Sequence, residues 1–138
     1  MKDESHTSKA SAQMASPNGG SRKGAAVSKY QPLQHYKWGS DCDGWNLVDE
    51  DLLSIKQELM PAGTKETKHY HQTAQQFFYI LKGEAKFEIE DSIIEINQGE
   101  GIHIEAGRKH CIMNEAQEDL EFILCSQPSS KNDRINCE

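Results

Sequence analysis

From Leu53 onward, apolar and polar residues alternate in short runs broken by turn-forming residues. A period of two marks β-strands whose two faces differ, because successive side chains point to opposite sides. In Leu53 to Leu59, the residues Leu53, Ile55 and Leu59 share one parity while Ser54, Lys56 and Glu58 take the other, so this strand is read with one wet face. Ala85, Phe87 and Ile89 alternate with Lys86, Glu88 and Glu90, and Asp91-Ser92 then turns the chain into Ile93 to Ile96, a hairpin by pattern. Ile102 to Ile104, His110 to Asn114 and Leu120 to Leu124 supply further strands. At least six short strands and no convincing helix predict an all-β sandwich or barrel. Asp49-Glu50-Asp51-Leu52 has the composition of a helical turn, which leaves that class unchanged.

Residues 1–30 follow neither period and are rich in Ser, Ala, Gly and Lys, including the run SPNGGSRKGAA. Such a segment buries too little apolar surface to offset its ordering entropy, so it is read as a disordered leader. Residues 31–138 are then the folded domain, with a core from about 36 to 127. The longest apolar stretch, Phe77 to Leu81, is five residues, far short of the roughly 20 that span a bilayer. The first residues, MKDESHTSKASAQ, also lack the apolar segment of a secretory signal, so a cytoplasmic location is expected. Cys42, Cys111, Cys125 and Cys137 form no C-x-x-C pair and are expected as free thiols in a reducing compartment. The formal charge of −7 divides into +3 over residues 1–31 and −10 over the rest. Neither part clusters enough Lys and Arg to read as a nucleic-acid or membrane surface.

The stretch that carries chemistry begins at Gly63 and reads GTKETKHYHQTAQQFFYILKG. His69 and His71 stand two apart, so on a strand their imidazoles share a face. Gln76 follows just before the Phe-Phe-Tyr-Ile-Leu strand, with Gln75 as its competitor. A third histidine, His110, lies beyond Gly107 in GEGIHIEAGRKHCIMN. Three neutral imidazoles converging in a barrel suit one divalent transition ion: Fe, Mn, Co, Ni, Cu or Zn. His103, between Ile102 and Ile104, reads as a surface or pocket-edge histidine, and His35 and His6 carry no weight.

These residues resemble the cupin superfamily in spacing as well as type. The motif G-x5-H-x-H-x4-E-x6-G maps onto Gly63, His69, His71, Gln76 and Gly83, and G-x5-P-x-G-x2-H-x3-N onto Gly99, Glu105, Gly107, His110 and Asn114. The short spacer from Glu84 to Gln98 is that of small single-domain microbial cupins. The resemblance implies a double-stranded β-helix, the cupin jelly-roll barrel, with His69, His71 and His110 as metal ligands. It also implies a homodimer, the usual assembly of small cupins. Two positions depart from the pattern. Glu105 in place of Pro costs turn rigidity. Gln76 in place of Glu leaves a bound divalent ion with its full charge, either as a neutral fourth ligand or as an amide that stands behind the histidines and hydrogen-bonds to them.

Parity also suggests pocket walls. Phe78 and Ile80 share a face with Gln76 and are expected inside, with Phe77, Tyr79 and Leu81 packing on the other face. Gln57 shares parity with Leu53, Ile55 and Leu59, so it is read either as a pocket residue touching a ligand or water, and counted among the walls on that basis, or as a strand-end glutamine reaching solvent. Asp133 and Arg134, with Trp38 and Trp45, are candidates to close the barrel mouth. Two functions follow from different classes: a metal-dependent enzyme on a small organic molecule, either a dioxygenase or an isomerase or lyase, and a non-catalytic small-molecule-binding cupin with a structural metal. The isomerase or lyase branch needs a separate general base, for which Tyr36 and Glu105 are the nearest guesses.

Overall fold

The computed structural model describes residues 24–137, all of them in strands, turns or irregular segments. The strands are β1 (Gln34–Trp38), β2 (Cys42–Glu50), β3 (Leu53–Met60), β4 (His69–His71), β5 (Gln75–Lys82), β6 (Glu84–Ile89), β7 (Ser92–Asn97), β8 (Gly101–Ile104), β9 (His110–Met113), β10 (Leu120–Gln127) and β11 (Arg134–Asn136). They form two antiparallel sheets in the orders β1-β2-β3-β10-β5-β8 and β11-β4-β9-β6-β7. The sheets face each other as a jelly roll, the all-β architecture expected from the alternation. Among the described residues no helix is long and apolar enough to cross a membrane.

Most of the expected leader, residues 1–23, lies outside the described residues. Its end does not: residues 24–30 follow a defined course, tied down where Lys29 Nζ meets Glu121 Oε2 at 2.5 Å and stands 5.3 Å from the Trp45 ring centre. Two local expectations are corrected. The hairpin between β6 and β7 turns at Glu90-Asp91, one residue earlier than expected, because Ile89 pairs with Ser92 and Glu90 takes a left-handed φ of 52°. Asp49 and Glu50 belong to β2, and Asp51-Leu52 form a hairpin turn rather than a helical one, with Glu50 paired to Leu53.

Alternation holds best where the barrel is filled. Ala85, Phe87 and Ile89 from β6 meet Phe78 and Ile80 from β5, Ile112 from β9, and Leu120 and Phe122 from β10 in one buried cluster. Each of the Phe, Ile and Leu side chains contributes about 1.5–3 kcal/mol on removal from water. Phe78 packs edge-on to Phe87 with ring centres 4.9 Å apart, and lies 5.6 Å from Phe122. Phe77, Tyr79 and Leu81 lie on the outer face and remain 41%, 40% and 39% exposed within the single chain.

On β3 the parity is reversed from expectation. Ser54, Glu58 and Met60 are the buried residues, so the wet face points into the barrel and Leu53, Ile55 and Leu59 face outward. The register shows why. Inward-facing rows run Glu58–Phe122–Ile80, then Lys56–Leu124–Phe78, then Ser54–Ser126–Gln76. The interior thus grades from an apolar floor to a polar mouth, and β3 supplies polar groups to a cavity rather than apolar ones to a core.

Candidate metal centre

Three histidines converge because two short strands pair at one point. β4 carries His69 and His71 on one face, and His69 pairs in register with His110 at the start of β9. The imidazoles of His69 and His110 have centres 4.4 Å apart, and His71 lies 5.0 Å from His69 and 5.8 Å from His110. One ring nitrogen from each falls within 4.8 Å of the others, and all three residues are buried. The Gly107 turn is fastened to this strand, its N–H donating to the His71 carbonyl at 2.7 Å. Asp133 holds the other side of the strand by accepting from the backbone N–H groups of Gln72, Thr73 and Ala74 at 3.0, 3.0 and 2.9 Å.

The hydrogen bonds around the rings decide what they present inward. His69 Nδ1 donates to the Thr67 carbonyl and His110 Nδ1 to the Arg108 carbonyl, each at 2.8 Å, which leaves both Nε2 atoms as lone-pair donors for an ion. His71 is buried with neither ring nitrogen hydrogen-bonded to protein. An orphaned buried polar group of this kind costs about 1–3 kcal/mol unless a ligand satisfies it. Gln76 reaches in from the facing sheet. Its Nε2 donates to Ser126 Oγ at 3.0 Å and its Oε1 lies 3.2 Å from His110 Nε2. With both groups presenting lone pairs, a shared cation is the species that satisfies the two together. The donor set of three imidazoles and one amide oxygen therefore fits a borderline divalent transition ion.

Burial holds His69 down to about 3 and His110 down to about 4, and it lowers His71 as well. The rings are neutral at pH 7, as metal binding requires. In an unfolded chain they titrate near 6.5. Between about pH 6.5 and pH 4 the unfolded state thus binds more protons at these rings than the metal-free folded state, so their contribution to stability falls as pH drops through that window, while the raised carboxyls of Glu66 and Glu58 contribute in the opposite sense. Denaturant unfolding of the metal-free protein at pH 7.5 and pH 5 is expected to show a larger loss on acidification in the parent than in His71→Leu; an equal loss in the two would contradict it.

The centre opens into a cavity of about 380 Å³. The histidine end is lined by His69, His71, Gln76 and Phe78, and the walls carry Tyr36, Lys56, Glu58, Glu66, Lys131 and Arg134. Of the sequence candidates, His69, His71, His110 and Gln76 come together and Phe78 lines the same space. Ile80 is fully buried on the same face, in the core beneath it. Gln57 is corrected: it lies on the outer face of β3, where its Nε2 donates to Glu121 Oε2 at 2.8 Å, because β3 turns its polar parity inward. Gln75 points outward and bonds to His103 and Gln127. Trp38 and Arg134 line the cavity, whereas Trp45 stacks on His35 with ring centres 5.5 Å apart and is not among its lining residues. Tyr36 is a lining residue and Glu105 is exposed.

Sequence reasoning missed Lys56, Glu58 and Glu66. For Lys56 and Glu58 the signal was the polar parity of β3, taken for a solvent face; Glu66 lies in the connection between β3 and β4, where no period marks it. Burial pushes the Glu66 carboxyl up to about 7 against the pull of Arg134. Its two oxygens accept from Ile112 N–H at 3.2 Å and Arg134 Nη1 at 3.5 Å, which fixes it as a support for Arg134. Burial also raises Glu58, opposed by a hydrogen bond from the Tyr36 hydroxyl and by the charges of Lys56 and Arg134.

Comparison with known proteins agrees with the architecture. A structure from Thermotoga maritima described as a predicted oxalate decarboxylase superposes with a TM-score of 0.70 at 19% identity, covering 76% of this chain and all of that one. KdgF from Halomonas sp. also gives 0.70, at 15% identity, covering 77% of this chain and 94% of the other. Among curated sequences, an oxalate-binding protein from Thermotoga maritima is 31% identical over 83 residues, 56% of this chain and 69% of its own length. An uncharacterized protein from Methanocaldococcus jannaschii is 29% identical over 75 residues, 54% of this chain; the match spans 60% of that relative's length. The family model for the cupin domain matches residues 56–126, just over half of the chain and the stretch that contains all four converging side chains, so this chain belongs to the cupin family.

Proposed function

We propose that this chain is a metal-dependent cupin enzyme that binds one divalent transition ion at His69, His71 and His110 and acts on a small carboxylate-bearing organic molecule. The observation that carries the reading is the buried histidine trio, whose ligand nitrogens lie within 4.8 Å of one another at the end of a cavity. At about 380 Å³ that cavity is of the size that holds small organic ligands. Bound there, the ion would supply a Lewis acid that polarises a carbonyl or carboxylate oxygen.

The charge of a bound divalent ion, together with two lysines that have no carboxylate partner among the described residues, favours an anionic ligand, although Asp49, Glu58 and Glu66 also line the space. Lys56, Lys131 and Arg134 line the space, and among the described residues neither Lys56 nor Lys131 makes an ion pair with a carboxylate. A second reading, a non-catalytic binding protein with a structural metal, draws on the Thermotoga maritima relative whose name is oxalate-binding protein.

Calorimetric titration tests both parts. Zinc is expected to bind with one site per chain, and oxalate to bind the zinc-loaded protein far more tightly than the metal-free one. In Gln76→Glu, zinc should bind at least about tenfold tighter if the side chain holds the ion directly, because a carboxylate adds charge to the ligand set. Failure of the parent to take up zinc or any other ion of the series would overturn the proposal.

A further inference from the structure

We propose that Glu58 is the base that removes a proton from the substrate in this cavity, and that Tyr36 and Gly44 position it. This rests on the proposed metal-dependent function and narrows its chemistry to proton transfer, the isomerase and lyase branch.

The geometry begins with one register row, Tyr36–Gly44–Glu58, across β1, β2 and β3. Tyr36 and Glu58 are two strands apart, about 10 Å along the hydrogen-bonding direction. The tyrosine bridges that gap by laying its ring over β2. This is possible only because residue 44 has no side chain: a Cβ there would stand 2.1 Å from Tyr36 Cζ and 2.3 Å from Cε2. The phenol then donates to Glu58 Oε2. Lys56 Nζ lies 5.6 Å from the centre of the same ring, so a cation and a hydrogen-bond donor flank one carboxylate.

Glu58 is a costly residue to keep here for packing alone. It is buried, yet no Lys or Arg lies within ion-pair distance among the described residues. Such a carboxylate is expensive unless its oxygens are bonded, and only Oε2 is. Oε1 has no protein donor among the described residues, and Glu58 lines the cavity that reaches His69 and His71. Glu66, the half-buried carboxylate of the wall, has both oxygens engaged, by Ile112 N–H and Arg134 Nη1, and so presents no open oxygen to a substrate. Burial raises the Glu58 carboxyl above its ordinary value, and the Tyr36 donor with the charges of Lys56 and Arg134 opposes that rise. The Tyr36 hydroxyl, itself raised by burial and by Glu58, stays protonated as the donor.

The step balances without an added reagent. A C–H bond next to a carbonyl breaks, its electron pair moves into the carbonyl to leave an enolate oxygen, and the proton goes to Glu58 Oε1. Return of a proton to the same carbon gives exchange; where that carbon bears a hydroxyl, loss of the hydroxyl proton, protonation of the enolate oxygen and return of a proton to the former carbonyl carbon shift the carbonyl by one position and give isomerisation.

Pyruvate serves as the probe, because it joins a carboxylate to a carbonyl with acidic neighbouring hydrogens. The zinc-loaded protein in D2O is expected to wash the methyl protons out of pyruvate, followed by proton NMR, faster than free zinc does. Glu58→Gln should slow this by about 100-fold or more while zinc content stays unchanged. Tyr36→Phe and Gly44→Ala should slow it less, without loss of zinc. A readout independent of turnover uses metal-free protein with 13C-labelled glutamate: the carboxyl resonance missing in Glu58→Gln should titrate above the ordinary range, and higher still in Tyr36→Phe, which loses the donor that favours the ionised form. Unchanged exchange in zinc-bound Glu58→Gln, or no exchange by the zinc-bound parent, overturns the assignment of Glu58 and leaves the metal site standing. A parent that binds neither zinc nor any of Fe, Mn, Co, Ni and Cu overturns the metal reading and this proposal together. Should Glu58→Gln fail to fold, exchange in Tyr36→Phe decides, and an unchanged rate there overturns the proposal.

Discussion

Replacing His71 by leucine is expected to weaken zinc binding by at least about 100-fold while leaving the metal-free protein as stable as the parent, or more so. The two effects have one cause. Both ring nitrogens of His71 are buried without a hydrogen-bond partner, so in the absence of an ion the imidazole is a buried polar group with nothing to offset its lost hydration. That state costs about 1–3 kcal/mol, and an apolar side chain of similar size removes the cost along with the ligand. His69 and His110 differ, because each gives its Nδ1 proton to a backbone carbonyl at 2.8 Å, and their removal forfeits that bond as well. Denaturant unfolding in the presence of chelator, beside a zinc titration, separates the terms. A metal-free His71→Leu protein destabilised by more than about 1 kcal/mol would contradict the claim that this ring is held for a ligand rather than for packing.

Gly83→Ala is expected to cost about 2–4 kcal/mol, several times the cost of Gly107→Ala. Both glycines belong to the sequence motifs and both have left-handed backbones, with φ of 89° and 87°. They differ in their surroundings. A Cβ on Gly83 would stand 2.7 Å from the Asp119 carbonyl oxygen and 3.2 Å from Leu120 Cα, backbone atoms that cannot swing aside, at the point where the chain passes from β5 in one sheet to β6 in the other. At Gly107 nothing lies within 4 Å, so alanine there meets only the conformational penalty, about 1 kcal/mol. Urea midpoints of the two variants measure the difference. Equal costs would mean that the close approach of Gly83 to Asp119 carries no weight.

The fold and the histidine trio were legible in the sequence because each rests on a local rule. Ala85, Phe87 and Ile89 alternate with polar residues and are buried as that parity requires. His69 and His71 share a face for the same reason, and motif spacing set His110 beside them. The walls were not legible, because they depend on what the barrel encloses. A strand bordering a polar cavity turns its polar parity inward, which inverted the reading of β3, placed Gln57 outside and hid Glu58. β1 and β2 were missed for a related reason. Their alternation is blurred by residues such as Gly44 and Tyr36, which are chosen by a contact across two strands that no local period records. The register that brings Tyr36, Gly44 and Glu58 into line is a property of the assembled sheet.

The measurement that tests the metal centre most directly is elemental analysis of the protein purified without added metal or chelator, beside His71→Leu. About one transition ion per chain in the parent, and a small fraction of that in the variant, is the result expected from three converging buried imidazoles. No ion in the parent, even after incubation with each of Fe, Mn, Co, Ni, Cu and Zn, would contradict the account.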